Sequence, residues 1–303
     1  MKLRLFSKLS KSFKNLPKKK GTGQMVGKFS TQSQFLLIFI STLLLFGCDD
    51  LFKPTIPTIC ETNPDICAGL NEDGWCRAEK AEIIRHRYDH LNVTTDSHIY
   101  TLLKHYEAYE ACIEKAAGIR HIKYREKEAN RMQGLLTAID AQKKLIRQTK
   151  DTNDPYLLYY HWSRNNDDSA RKRFLAQARQ GNFDSADLWI KAASIHLKRD
   201  NEAARKSLYK ALSYYDDVDD VDPMLFESLV TVNLDDERYA SAYVWANVYA
   251  EVNEMGQQAL ARTRPLLLAP VNYERLEGIA WDVEAAINDG AFNADRLGLW
   301  RLK

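Results

Sequence analysis

Nothing in this sequence is apolar for long enough to cross a bilayer. The longest apolar run, Phe35 to Phe46, spans 12 residues, whereas a membrane-spanning helix needs roughly 20. Glycine and proline are scarce, 13 and 8 in 303 residues, and no stretch beyond Cys76 alternates apolar with polar side chains. That combination excludes a β-sandwich or barrel, whose short strands need frequent turn residues and a period of two. A Gly-rich phosphate loop, a G-x-S-x-G elbow and comparable catalytic signatures are missing, so no enzyme chemistry can be read from a motif. Acidic residues are missing from positions 1–47, which carry nine Lys and Arg. The formal net charge of +2 therefore hides an asymmetry: without those nine, 34 basic side chains remain against 41 acidic ones, a net of −7. An acidic domain has no counterion-release drive toward nucleic acid, and an anionic membrane surface mildly repels it.

What is present begins with a basic leader followed by the 12-residue apolar run, the layout of a secretory signal. The run ends in Leu45-Phe46-Gly47-Cys48: an apolar residue three before a cysteine and a small one just before it. This resembles the lipobox of bacterial lipoproteins. The resemblance implies that residues 1–47 are a signal peptide, that Cys48 is lipidated (palmitate among its acyl chains), and that the lipid holds the protein at a membrane. Met25 to Cys48 alone has the length of an ordinary signal. Asp49 and Asp50 follow; in enteric-type bacteria Asp after the lipidated cysteine marks retention. That rule implies the periplasmic face of the inner membrane, with the outer membrane as the alternative. Pro54 and Pro57 make residues 48–59 read as an extended spacer.

Four cysteines remain, Cys60, Cys67, Cys76 and Cys112, and an even number in an exported chain suggests two disulfides. Three pairings are possible, and geometry favours one. Helices over about 75–90 and 96–119 would be joined by a short turn, with Thr95 or Asp96 as a cap. In an antiparallel hairpin, residues equidistant from the turn face each other, and Cys76 and Cys112 are each 18 residues from Thr94. Cys60 and Cys67 then close a small loop. The spacings do not match paired zinc ligands.

Residues 60–150 are expected to form this stapled hairpin and a long helix over about 120–150. Met132, Leu135, Leu136, Ile139 and Ile146 form its apolar stripe, and Lys123, Arg125, Glu126, Lys127, Glu128 and Arg131 its solvated face. Asp154-Pro155 starts the next helix. Shorter helices are expected over 169–180, 185–198, 201–214, 223–235 and 239–254, with two or three more after Met255-Gly256. Leu188, Ala192, Ala204, Leu208 and Ala211 recur 38 residues later as Phe226, Val230, Ala242, Ala246 and Tyr249. Both copies read helix, turn, helix, which resembles tetratricopeptide and Sel1-like repeats. The expected fold is all-α: the disulfide-stapled hairpin followed, over 151–303, by a TPR-like α-solenoid of antiparallel helix pairs.

The mature chain, above all the Asp-Pro-Tyr-Leu-Leu-Tyr-Tyr-His-Trp-Ser run at 154–163, resembles a domain-of-unknown-function family of predicted bacterial lipoproteins over most of residues 60–290. That resemblance carries no known activity. Among candidate sites, His86 and His90 stand four apart and share a helix face. With no third ligand apparent, they read as a surface pair, and no metal or other cofactor is expected. Asp216, Asp217, Asp219, Asp220 and Asp222 lack the alternation and central Gly of a calcium loop and read as a solvated acidic loop. Tyr156, Tyr159, Tyr160, Trp162, Tyr239, Tyr243 and Trp245 are the candidate lining of a partner groove. The expectation is a lipid-anchored, non-enzymatic adaptor that binds an envelope protein. The alternative is an enzyme or enzyme subunit acting on peptidoglycan, and a purely structural lipoprotein is a third possibility.

Overall fold

A computed structural model describes residues 53–91, 95–120, 123–267 and 271–303. Residues 1–47, expected from the sequence to be a signal peptide, and Cys48, Asp49 and Asp50 lie outside the described residues. Every regular element described is a helix, and none is long and apolar enough to cross a membrane. In chain order they are α1 (Ile56–Thr62), α2 (Pro64–Cys67), α3 (Arg77–Asp89), α4 (Asp96–Ala117), α5 (Arg125–Gln148), α6 (Pro155–Asn165), α7 (Asp168–Gln180), α8 (Ala186–His196), α9 (Asn201–Leu212), α10 (Pro223–Asp235), α11 (Tyr239–Val252), α12 (Met255–Thr263) and α13 (Tyr273–Asn288).

Local chemistry explains where these helices begin. The side chains of Thr95, Asp154, Asp167, Ser185, Asp200, Asp222 and Asn272 each accept a hydrogen bond from a backbone N–H of the following first turn, and so satisfy donors that the helix itself cannot. Pro155 and Pro223 sit just inside their helices, where a missing N–H costs nothing. Gly181 ends α7 at φ +76°, a left-handed cap. Around 216–222 two of the five aspartates do such work: Asp217 and Asp222 cap, while Val218 and Val221 are buried beneath the loop.

Residues 56–303 form one compact unit. Its interior has an amino-terminal part, built from Ile59, Ile83, Ile84, Tyr109 and Ile113 among others, and a larger one running from Leu158 to Leu299. Leu103 with Leu157 and Tyr160 makes a third cluster where α4 meets α6. The disulfides are Cys60–Cys67 and Cys76–Cys112. The second ties the residue before α3 to the last third of α4, so the two helices run antiparallel. Beyond residue 150 consecutive helices pack through short turns, α8 on α9, α9 on α10 and α10 on α11. All ten positions of the 38-residue echo are buried.

Two expectations change. The spacer does not extend to residue 59: α1 begins at Ile56, Pro57 fits its first turn, and Ile59 is interior. The apolar stripe of α5 is also displaced. Met132 and Leu136 are exposed, whereas Arg131, Gly134 and Ala138 are buried. Arg131 goes inward because Asp73 meets it there, Nε to Oδ2 at 2.6 Å, and because it donates to the Ala116 carbonyl at 3.3 Å. A buried cation is tolerable when paired and hydrogen-bonded. Gly134 leaves room for Tyr109, whose hydroxyl donates to Asn71 Oδ1 at 2.9 Å and accepts from the Asn71 N–H at 3.0 Å.

Candidate functional site

The aromatic residues expected to line a groove do not share one surface. Trp245 is 0% exposed. It lies between Tyr209 and Phe226, with ring centroids at 5.7 and 6.3 Å, and its indole N–H donates to the Tyr209 hydroxyl at 3.4 Å. Tyr243 is 2% exposed and Tyr160 4%. These three are core residues, because α11 is covered by α10, α12 and α13 together, and Tyr160 points into the junction with α4. Tyr239 is half-buried at the start of α11. Tyr156, Tyr159 and Trp162 do form a half-buried patch on α6. There the hydroxyls of Tyr156 and Tyr159 meet Ser185 and Ser194 at 3.1 Å, and the Lys191 ammonium stands over both rings.

A concavity lies elsewhere, between α11 and α13. Asn247 and Glu251, one turn apart on α11, face Glu277, Trp281 and Glu284, at successive turns of α13. Val248 and Ala280 make its floor, and the cavity measures about 240 Å³. Trp281 is 73% exposed, although an indole left in water forfeits burial that most tryptophans obtain. Glu277 accepts a hydrogen bond from the Tyr243 hydroxyl at 2.9 Å, so a buried tyrosine orients one wall. Burial, with Glu251 and Asp219 nearby, pushes the Glu284 carboxyl above the ordinary glutamate range. Three carboxylates and an indole thus line one hollow to which no Lys or Arg contributes. Such a lining suits a cation: it relieves like-charge crowding and lies against an aromatic ring. Trp281 could have been suspected from sequence, since α13 carries it among Glu274, Glu277, Asp282 and Glu284. The α11 side could not, because it depends on which helix covers which.

His86 and His90 face each other on α3 with ring centroids 4.5 Å apart, and α4 brings His98 and His105 against them. Among the described residues, one set of three possible metal ligands lies within 4.8 Å of one another, Cys76, Glu79 and Cys112. Both of its sulfurs are committed to the disulfide, which removes them as ligands.

No curated protein and no solved structure matches the chain. The family described as Protein of unknown function (DUF2989) matches residues 45–247. Its match starts within the Leu45–Cys48 motif and ends before Glu251 and α13. With two thirds of its length matched, the chain belongs to the DUF2989 family.

Proposed function

We propose that this chain is a lipid-anchored, TPR-like helical adaptor on the periplasmic face of a bacterial membrane, and that it binds a basic segment of another envelope protein. The observation that carries the partner chemistry is the hollow formed by Glu251, Glu277, Glu284 and the exposed Trp281. The two disulfides support an oxidising compartment, and the family match includes the lipobox residues. The repeat reading rests on the ten buried echo positions and on the stacking of α8 to α11.

The energetics fit an adaptor. A surface ion pair is worth about 1 kcal/mol or less, and an exposed cation–π contact about 0.5–1 kcal/mol. One Lys or Arg in the hollow therefore gains at most about 4 kcal/mol before the cost of association, so its Kd is no tighter than about 1 mM. Such a contact works only under confinement. A lipid tether supplies it, since short linkers give effective concentrations of about millimolar.

The raised Glu284 carboxyl beside Glu251 favours one second reading, an acid and base pair acting on peptidoglycan sugars. The two readings separate in one experiment. With 5-fluorotryptophan in the chain, the Trp281 resonance is followed by ¹⁹F NMR while a Lys- and Arg-rich decapeptide is added. The expected result is a shift of Trp281 alone, abolished by about 0.5 M salt and by Glu251→Gln with Glu284→Gln. No shift with the peptide, together with a shift and bond cleavage on addition of neutral muropeptides, would replace the adaptor with the enzyme. For the anchor, Cys48→Ala is expected to leave unprocessed precursor or release the protein from membranes; a mature, membrane-bound product from that variant would refute lipidation.

A further inference from the structure

Four of the chain's seven histidines meet at one place. His86 and His90 are one turn apart on α3, and His98 and His105 lie two turns apart on α4. Ring centroids are 4.5 Å apart for His86–His90, 5.9 Å for His86–His98, 5.5 Å for His86–His105 and 3.7 Å for the stacked pair His90–His98. All four are half-buried. We infer that His86, His90, His98 and His105 form a binding site for a divalent transition-metal ion of the Zn²⁺ class, at the turn end of the α3–α4 hairpin.

Two independent observations support the site. The first is spacing. A Zn–N bond of about 2.0–2.1 Å places each ring centroid about 3.2 Å from the metal, so tetrahedral imidazoles stand roughly 5 Å apart. Three of the six pairs, those of His86 with the other rings, fall near that value; the His90–His98 stack must open, and His105 must move toward both of its members. The rings are not yet in the bound arrangement, since their nitrogens are not gathered within 4.8 Å of one another. Gathering them requires the side chains to rotate. The second is an orphan: His98 Nδ1 is buried without a hydrogen-bond partner, and a buried lone pair left unmade calls for a water or an ion. Imidazole donors suit zinc, copper and nickel.

The test uses the full-length, untagged chain in detergent, stripped with EDTA and titrated with ZnCl₂ against a chromophoric chelator. One Zn²⁺ per chain is expected. The imidazole C–H signals of the four cluster histidines should shift in the unmutated protein, while those of His161 and His196 stay in place. His90→Gln with His98→Gln should weaken binding by more than about 100-fold, since even outer-shell changes cost 10–100-fold; His196→Gln should leave it unchanged. Absence of stoichiometric binding, unmoved cluster signals, or full-affinity Zn²⁺ binding by the double variant would overturn the site.

Discussion

Breaking the Cys76–Cys112 bridge is expected to cost more than breaking Cys60–Cys67, by an amount that loop length fixes. The first bridge spans 36 residues and the second 7. In the chain-entropy description, a closed loop removes about 2.1 + 1.5R ln n cal/mol/K from the unfolded state. That gives about 3.8 kcal/mol at 25 °C for the longer bridge and about 2.4 kcal/mol for the shorter. The difference, about 1.4 kcal/mol, is the more secure quantity, because errors in the constant cancel. The longer bridge carries a further loss, since the Cys76 sulfur is buried among Ile83, Ile84 and Ile113. The assay is urea unfolding by far-UV circular dichroism of Cys76→Ala/Cys112→Ala against Cys60→Ala/Cys67→Ala. With a denaturant slope of about 3 kcal/mol/M for a unit of this size, the first midpoint should fall by about 1.3 M and the second by about 0.8 M. Equal midpoints, or a larger loss from the small loop, would refute the loop-entropy account. The longer bridge also holds the register of the hairpin that brings His86 and His90 against His98 and His105, so its loss should weaken Zn²⁺ binding too.

Other outcomes follow from burial and charge. Trp245→Ala should cost about 3–5 kcal/mol, because Trp245 is 0% exposed, whereas Trp281→Ala, at a side chain 73% exposed, should stay within about 0.5 kcal/mol; thermal melts of both variants check this. Gly134→Ala should destabilise by about 1–3 kcal/mol, since a Cβ there would lie 2.5 Å from the Tyr109 hydroxyl and 3.3 Å from the Asn71 nitrogen; a neutral result in chemical denaturation would show that the Tyr109–Asn71 contact yields freely. Metal-free protein should lose stability as pH falls from 6.5 to about 4, because the unfolded chain binds the His86 proton that the folded chain refuses. That span is worth at most about 3 kcal/mol, and with the ring only half-buried roughly half of it survives screening. Tm against pH should flatten in His86→Gln, and an unchanged slope would remove His86 as the cause.

Helix positions were legible in the sequence because they depend on neighbours a few residues away. Asp154 before Pro155 and Thr95 before Asp96 act through hydrogen bonds within one turn. The bridge Cys76–Cys112 was legible for a related reason: a short turn converts equal sequence distance into spatial opposition. What failed depended on partners far along the chain. Arg131 reads as one charge among many on α5, and only Asp73, 58 residues earlier, turns it inward. Trp245 and Trp281 are both tryptophans on helices, and nothing local says that Tyr209 of α9 and Phe226 of α10 enclose the first while the second is left in water. The histidine cluster lies between these cases. The count that pairs Cys76 with Cys112 about Thr94 also places His90 opposite His98, each four residues from it. The rings stack at 3.7 Å where that count puts them. His86 and His90 taken as one helix face leave out His98, which the hairpin register places on the facing helix. A metal pair on one arm of a short hairpin should therefore be judged together with the mirror positions of the other arm.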